Sequence, residues 1–294
     1  MIVDGVFSGG GIKGFAYVGA IQVLEERGIQ FKRVAGTSAG AILATFIAAG
    51  FNAKELEEIF DELNLKALLD PPKIFIGMPF LKWINLYMRF GMYKGKALEK
   101  WFHKKLATKG ICSFGDLPSG ALKLVASDLT NGKILVLPDD LKHYGIDGST
   151  FPISRALRMS CGLPFFFEPM YLKNGKRESV IVDGGVLSNF PLWIYDNGKK
   201  ERPVLGMKLS SKNKEMSPHE IDNALQLFEA LFATMKNAHD NRYIARRHEK
   251  DVIFIPVEKY NATQFDMDEE TKQKLICIGK ERTIQFLKTW SPVW

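Results

Sequence analysis

The chain has 294 residues, 46% hydrophobic and 25% charged, with a net charge of +7 and a pI near 9.1. That length and balance fit a globular protein with a full core and exclude a disordered or low-complexity chain. Cys112, Cys161 and Cys277 are too scattered for a disulfide framework or a C-x-x-C metal site. No uncharged apolar run is long enough to span a bilayer, and the N-terminus opens on strand-like residues rather than on a secretion signal. A cytoplasmic, reducing setting is therefore expected, with peripheral membrane contact left open. The basic surplus favours an anionic partner. Nucleic acid and acidic lipid surfaces both carry such charge, but no zinc-finger, RNA-recognition or basic-arm pattern accompanies the surplus, so nucleic acid is not expected. The spread of the basic residues reads first as an ordinary solvated surface, with an anionic membrane as the open alternative.

Residues 2–7 are apolar and β-prone and run into Ser8-Gly9-Gly10-Gly11-Ile12-Lys13-Gly14. Ala16, Val18, Ala20, Ile21, Val23 and Leu24 then form a helical stripe that stops at Gly28. A second strand over residues 31–35 leads to Gly36-Thr37-Ser38-Ala39-Gly40 and a helical run over 41–49. Two strand, turn and helix units in succession predict a mostly parallel sheet. Their glycine-rich turns then lie at the carboxyl ends of neighbouring strands, where open α/β sheets place their ligands.

Residues 52–69 read as one amphipathic helix, stopped by Pro71 and Pro72. Residues 73–93 concentrate large apolar side chains with few charges. This stretch reads as a lid or membrane-contact insertion over residues 71–93, or equally as a buried helix packed on the sheet. A helix over 96–106 follows, then strands over 122–127 and 133–137 joined by a turn carrying Asn131-Gly132. A short helix over 154–159 leads to Ser160-Cys161-Gly162-Leu163-Pro164-Phe165-Phe166-Phe167, a rigid apolar loop expected to wall a pocket, with Ser160 and Pro164 as its lining residues. The strand over 179–182 ends in Asp183-Gly184-Gly185, the third glycine-rich strand terminus and the only one led by a carboxylate. A strand over 203–209, a long helical stretch over 217–250, a strand over 252–257 and an amphipathic helix over 272–290 complete the chain. With no repeat and no linker, residues 1–294 read as a single domain.

Ser38 in its G-x-S-x-G setting is placed to be a nucleophile, because a sharp turn between strand and helix exposes Oγ while the glycines let neighbouring backbone pass close by. Gly9, Gly11 and Gly14 also satisfy G-x-G-x-x-G, but Val34 and Ala35 stand where a dinucleotide site needs an acid, and Phe15 replaces the lysine of a P-loop. What remains is a row of backbone N–H groups, Gly9 to Gly11, able to face an oxyanion, each such donor contributing on the order of 3 kcal/mol to a transition state. Lys13 adds positive field or is a surface lysine. A base for Ser38 has two sources. His219, His239 and His248 follow Asp183 but lie in the polar stretch over 217–250. Asp183, beside Gly184 and Gly185, sits at a strand end that permits close approach to Ser38.

Taken in order, the first glycine loop, the Gly36 to Gly40 turn, the Ser160 to Pro164 loop and Asp183-Gly184-Gly185 resemble the four blocks of patatin-like phospholipases. The resemblance covers residues 2–191, and residues 203–294 are then the C-terminal part of the same domain. It implies a three-layer α/β/α fold and a metal-free, cofactor-free hydrolase of acyl ester lipids such as phospholipids. In it Ser38 is the nucleophile and Asp183 its dyad partner. Gly10 and Gly11 give oxyanion amides, with Gly14, Gly36, Gly40, Gly184 and Gly185 supporting the turns. Lys13 stands where the family more often has arginine; it keeps the charge and lacks the bidentate fork. Two other readings stay open, an esterase that uses one of the histidines and a non-catalytic lipid- or phosphate-binding module.

Overall fold

A computed structural model describes residues 1–63, 65–70, 86–175, 177–196, 201–210, 221, 227, 230–231, 234–235, 249–260 and 267–291. In chain order the strands are β1 (Ile2–Phe7), β2 (Gln30–Thr37), β3 (Gly91–Tyr93), β4 (Leu122–Asp128), β5 (Lys133–Leu137), β6 (Phe165–Phe167), β7 (Met170–Asn174), β8 (Arg177–Asp183), β9 (Val204–Lys208) and β10 (Val252–Phe254). The helices are α1 (Phe15–Glu26), α2 (Ala39–Ala48), α3 (Ala53–Asp61), α4 (Leu65–Leu68), α5 (Lys96–Ala107), α6 (Ile153–Ser160) and α7 (Glu269–Leu287). The first strand, turn and helix units appear as expected. Strands β10, β9, β1, β2 and β4 run parallel, and β5, β8 and β7 join through antiparallel ladders. Strands β3 and β6 form a separate parallel pair.

The registers on β4 decide where the site forms. Strand β5 pairs with Leu124 through Asp128 along one edge. Strand β2 pairs with Leu122 through Val125, and β8 with Ala126 through Asp128. Both overlap the stretch already taken by β5, so both must occupy the opposite edge. They meet there end to end, with Thr37 opposite Val125 and Asp183 opposite Ala126. Since β2 is parallel to β4 and β8 antiparallel, the two carboxyl ends face each other across one register step. Gly184 makes this possible, because a Cβ there would lie 2.3 Å from the Val125 carbonyl oxygen and 3.0 Å from Thr37 Cγ2.

Alternation along the strands sends side chains to two layers. Val3 and Phe7 of β1 join the large core, with α1, α2 and α6, whereas Val6 joins Ala35, Val252, Phe190, Leu192 and Tyr195 in a second cluster. The sheet is thus covered on both faces, an α/β architecture. Helix α7 packs on α1 with backbones in contact: a Cβ on Gly19 would lie 1.9 Å from the Ile276 carbonyl oxygen, and one on Gly279 would lie 1.9 Å from that of Ala16. Asp4, only 1% exposed, is held by Arg33 at 2.5 Å and Arg202 at 3.4 Å.

Some sequence expectations need correction. The helix expected over 52–69 is two, α3 opening on an Asn52–Glu55 capping box and closing at Glu62, and the short α4 after it. The loop expected over 160–167 is the last residue of α6 followed by a turn and strand β6, because Phe165 and Phe167 find a ladder partner in β3. Strand β10 stops at Phe254, short of residue 257. Of the apolar stretch 73–93, residues 73–85 lie outside the described residues, as does most of 217–250, His219, His239 and His248 included.

Candidate active site

Ser38 sits between β2 and α2 at φ 54° and ψ −121°, a positive φ that a serine adopts only at a cost. The flanking glycines are a packing requirement. A Cβ on Gly36 would stand 2.2 Å from the Gly40 carbonyl oxygen, and one on Gly40 would stand 2.2 Å from that of Phe7. Both sides of the turn are buried while Ser38 remains partly open. Three bonds hold its backbone. Its N–H donates to Ser160 Oγ at 3.1 Å, and its carbonyl accepts from Ile42 N at 3.1 Å and from the Cys161 thiol at 3.4 Å. Ser160 Oγ in turn donates to the Val125 carbonyl at 2.6 Å, on the β4 residue that pairs with Thr37. Ser160 is fully buried and braces the turn through these two bonds.

The glycine loop lies one strand away. Gly9 is pressed against the serine turn, since its Cβ would approach Ser38 Cβ to 3.2 Å and Asn189 Oδ1 to 2.5 Å. Its N–H donates to the Asn189 carbonyl at 3.0 Å, so of the three amides offered by the sequence this one is engaged in the scaffold. Gly10 packs against Leu209, whose Cδ1 would meet a Cβ at 2.4 Å, and Gly11 takes a positive φ of 58° as the chain turns towards α1. Gly14 stacks on Ala39. Lys13 is half-buried at the end of the short helical turn before α1. The loop is moored to β9: Ser8 N donates to the Met207 carbonyl, Leu209 N donates to Ser8 Oγ, and the Tyr17 hydroxyl donates to the Ser8 carbonyl at 2.6 Å. Asn189 and Leu209 escaped sequence reasoning. Only the glycine of their partner positions hinted at a close neighbour.

Asp183 ends β8, 3% exposed, and its Oδ1 accepts the Gly185 N–H at 2.7 Å. Its own N–H donates to the Gly162 carbonyl at 2.9 Å, which fastens the third block to the fourth. Thr37 Oγ1 donates to the Ser188 carbonyl at 2.9 Å, tying the serine turn to the aspartate turn. The chemistry of Cys161 reports the closeness of the two blocks. Burial pushes its thiol well above the ordinary range and the Asp183 charge adds to this, while Arg158 opposes it. Arg158 is itself 1% exposed, and burial lowers its pKa. Its Nη2 donates to the carbonyls of Lys94 and Glu168, and a Cβ on Gly95 would collide with its Nε.

The structure therefore brings Ser38, Gly9, Ser160, Gly184 and Asp183 to one end of the sheet. Pro164 stands further along, where the chain enters β6. The described histidines, His103 and His143, are exposed, the latter beside Asp140. Among the described residues no group of three His, Cys, Asp or Glu is arranged to hold a metal ion. No helix among them is long and apolar enough to cross a membrane.

The mostly parallel central sheet covered by helices defines an α/β protein. A family model described as patatin-like phospholipase matches residues 5–196, and the chain belongs to that family. Protein YqhO of Bacillus subtilis, itself uncharacterized, is 52% identical over 291 residues, 99% of this chain and 100% of its own length. A cGAMP-activated phospholipase of Vibrio cholerae is 27% identical, over 64% of this chain and 54% of that protein. Among solved structures, VipD from Legionella pneumophila superimposes with a TM-score of 0.60 at 20% identity, covering 98% of this chain and 67% of VipD.

Proposed function

We propose that the protein hydrolyses acyl esters of phospholipids or related lipids with Ser38 as nucleophile and Asp183 as its proton partner. The observation that carries this reading is the meeting of the β2 and β8 carboxyl ends at Val125 and Ala126 on one edge of β4. Ser38 Oγ attacks the ester carbonyl as Asp183 takes its proton, forming the C–O bond of a tetrahedral intermediate. The Gly10 and Gly11 amides face its oxyanion, aided by Lys13, while Gly9 spaces the loop against Ser38. Collapse breaks the bond to the leaving alcohol, which receives the proton from Asp183. Water then attacks the acyl-enzyme, Asp183 takes its proton and returns it to Ser38 Oγ, and free fatty acid departs. The relative named as a phospholipase supports the choice of lipid.

The reading extends to the whole chain as one domain, because β9 and β10 complete the sheet that β1 begins and α7 packs on α1. Labelling with a serine-reactive phosphonate, with the site located by mass spectrometry, tests the assignment. Labelling of Ser38 in the native protein that falls sharply in Asp183→Asn is the expected result. A label elsewhere, or undiminished Ser38 labelling in the folded variant, overturns it.

A further inference from the structure

Three residues other than glycine hold a positive φ among the described residues: Ser38 at 54°, Phe90 at 59° and Phe165 at 64°. A bulky aromatic in this region is an outlier, and such strain persists where the surroundings enforce it and function uses it. The first belongs to the candidate nucleophile. The other two are neighbours, since Gly91, directly after Phe90, pairs with Phe165 in the ladder of β3 and β6. Their side chains are 54% and 45% exposed, and Tyr87 and Met88 just before them are 84% and 68% exposed. These partly exposed residues form an apolar rim that also carries Arg89, itself 3.7 Å from Glu168.

The rim is fixed to the site by short covalent and hydrogen-bonded paths. Phe165 lies three residues from Gly162, whose carbonyl accepts the Asp183 N–H. Arg158 Nη2 donates to the carbonyls of Lys94, just past β3, and Glu168, just past β6, and its guanidinium lies 4.8 Å over the Phe167 ring. The same helix, α6, ends at Ser160, which holds the Ser38 N–H.

We propose that the β3–β6 rim is the surface by which this protein seats on a bilayer containing anionic phospholipid. Tyr87, Met88, Phe90 and Phe165 enter the headgroup layer, and Arg89 meets lipid phosphate. The occupant is a lipid surface because the rim is tied through Gly162, Arg158 and Ser160 to the Ser38 and Asp183 turns and the chain carries a net charge of +7. The inference rests on the reading of that site as a lipid acyl hydrolase.

Vesicles of phosphatidylcholine with and without phosphatidylglycerol, sedimented with native protein, with Met88→Ser/Phe90→Asn and separately with Phe165→Asn, provide the test. Asparagine accepts a positive φ, so thermal unfolding of the variants should match or exceed the native value. Vesicle affinity should fall about tenfold or more in each, with vesicle phospholipid hydrolysis falling alongside. Hydrolysis of a soluble short-chain nitrophenyl ester should stay within about twofold for Met88→Ser/Phe90→Asn. Arg89→Ala should weaken binding only to the vesicles with phosphatidylglycerol. Folded variants that bind vesicles as the native protein does overturn the surface. So does native protein that binds no vesicles but self-associates through residues whose substitution abolishes association, which makes the rim a contact between copies. Native protein that binds vesicles through the rim yet cleaves neither substrate sinks the hydrolase reading and leaves the surface standing.

Discussion

Ser160 Oγ accepts the Ser38 N–H at 3.1 Å and donates to the Val125 carbonyl at 2.6 Å, so one buried hydroxyl links the strained serine turn to the strand on which it rests. Neither atom of Ser160 needs to touch substrate for this link to matter. A serine held at φ 54° relaxes unless its neighbours fix it, and relaxation of a fraction of an ångström misaligns Oγ.

Ser160→Ala is expected to lower kcat by roughly 10- to 100-fold with KM little changed, and to cost about 1–2 kcal/mol of stability from the unpaired N–H and carbonyl. Steady-state kinetics beside urea unfolding check this. Stability loss with kcat intact would show that Ser160 serves the fold alone.

Asp183→Asn keeps an oxygen able to accept the Gly185 N–H, now made at 2.7 Å, so the turn should survive. In the proposed mechanism it removes the proton acceptor. Esterase activity should drop by about 100- to 10,000-fold with thermal unfolding nearly unchanged. Activity within about threefold of native in such a variant would hand the proton to another group.

Gly19 and Gly279 let α1 and α7 touch backbone to backbone. A methyl group at either position meets a carbonyl oxygen rather than a flexible side chain, so relief requires the helices to part. Gly19→Ala and Gly279→Ala should each destabilise by about 3 kcal/mol. The double variant should lose less than the sum, since the first methyl already separates the pair. Denaturant titrations of the three variants measure both statements.

Asp128 closes β4 almost fully buried, and accepts from the Tyr144 hydroxyl at 2.6 Å, from Asn131 Nδ2 at 2.6 Å and from Asn131 N at 3.0 Å. Burial pushes its carboxyl up, yet these donors outweigh it and hold the pKa below the ordinary value. Because the folded pKa is depressed, the stabilisation is present above the unfolded pKa of about 4 and is lost as pH falls through the folded one. The pKa of the Tyr144 hydroxyl is raised, by burial first and Asp128 second, so its contribution is whole below the unfolded pKa of about 10 and is lost progressively as pH rises from there through the raised folded value. Tyr144→Phe should cost about 1–2 kcal/mol at neutral pH, and its gap from native should narrow as the pH falls below the ordinary carboxylate range and Asp128 takes up its proton. Unfolding curves at several pH values decide; a gap independent of pH would contradict the linkage.

Much of the fold is legible in the residues. The glycine loop before α1, the G-x-S-x-G turn before α2 and the Asn131-Gly132 turn between β4 and β5 all stand where turn chemistry puts them. The errors fall where tertiary contact overrides local signal. The stretch over 160–167 reads as a loop because Gly162 and Pro164 break periodicity, yet Phe165 to Phe167 becomes strand once β3 supplies a partner. The helix over 52–69 divides after Asp61, although its charges and apolar spacing continue.

By itself the sequence determined which chemical groups are present and in what local setting: a serine on a tight turn, glycine amides before a helix, and a carboxylate at a strand end. It determined the family as well, because those blocks occur together in order. Only the tertiary structure decided that β2 and β8 share an edge of β4 and meet at Val125 and Ala126. It alone showed that Gly9 N–H is engaged by Asn189 and that Ser160 braces Ser38. The physical reason is that propensity and periodicity act within a few residues. Strand pairing and close backbone approach depend on which edge, register and space the rest of the chain leaves open.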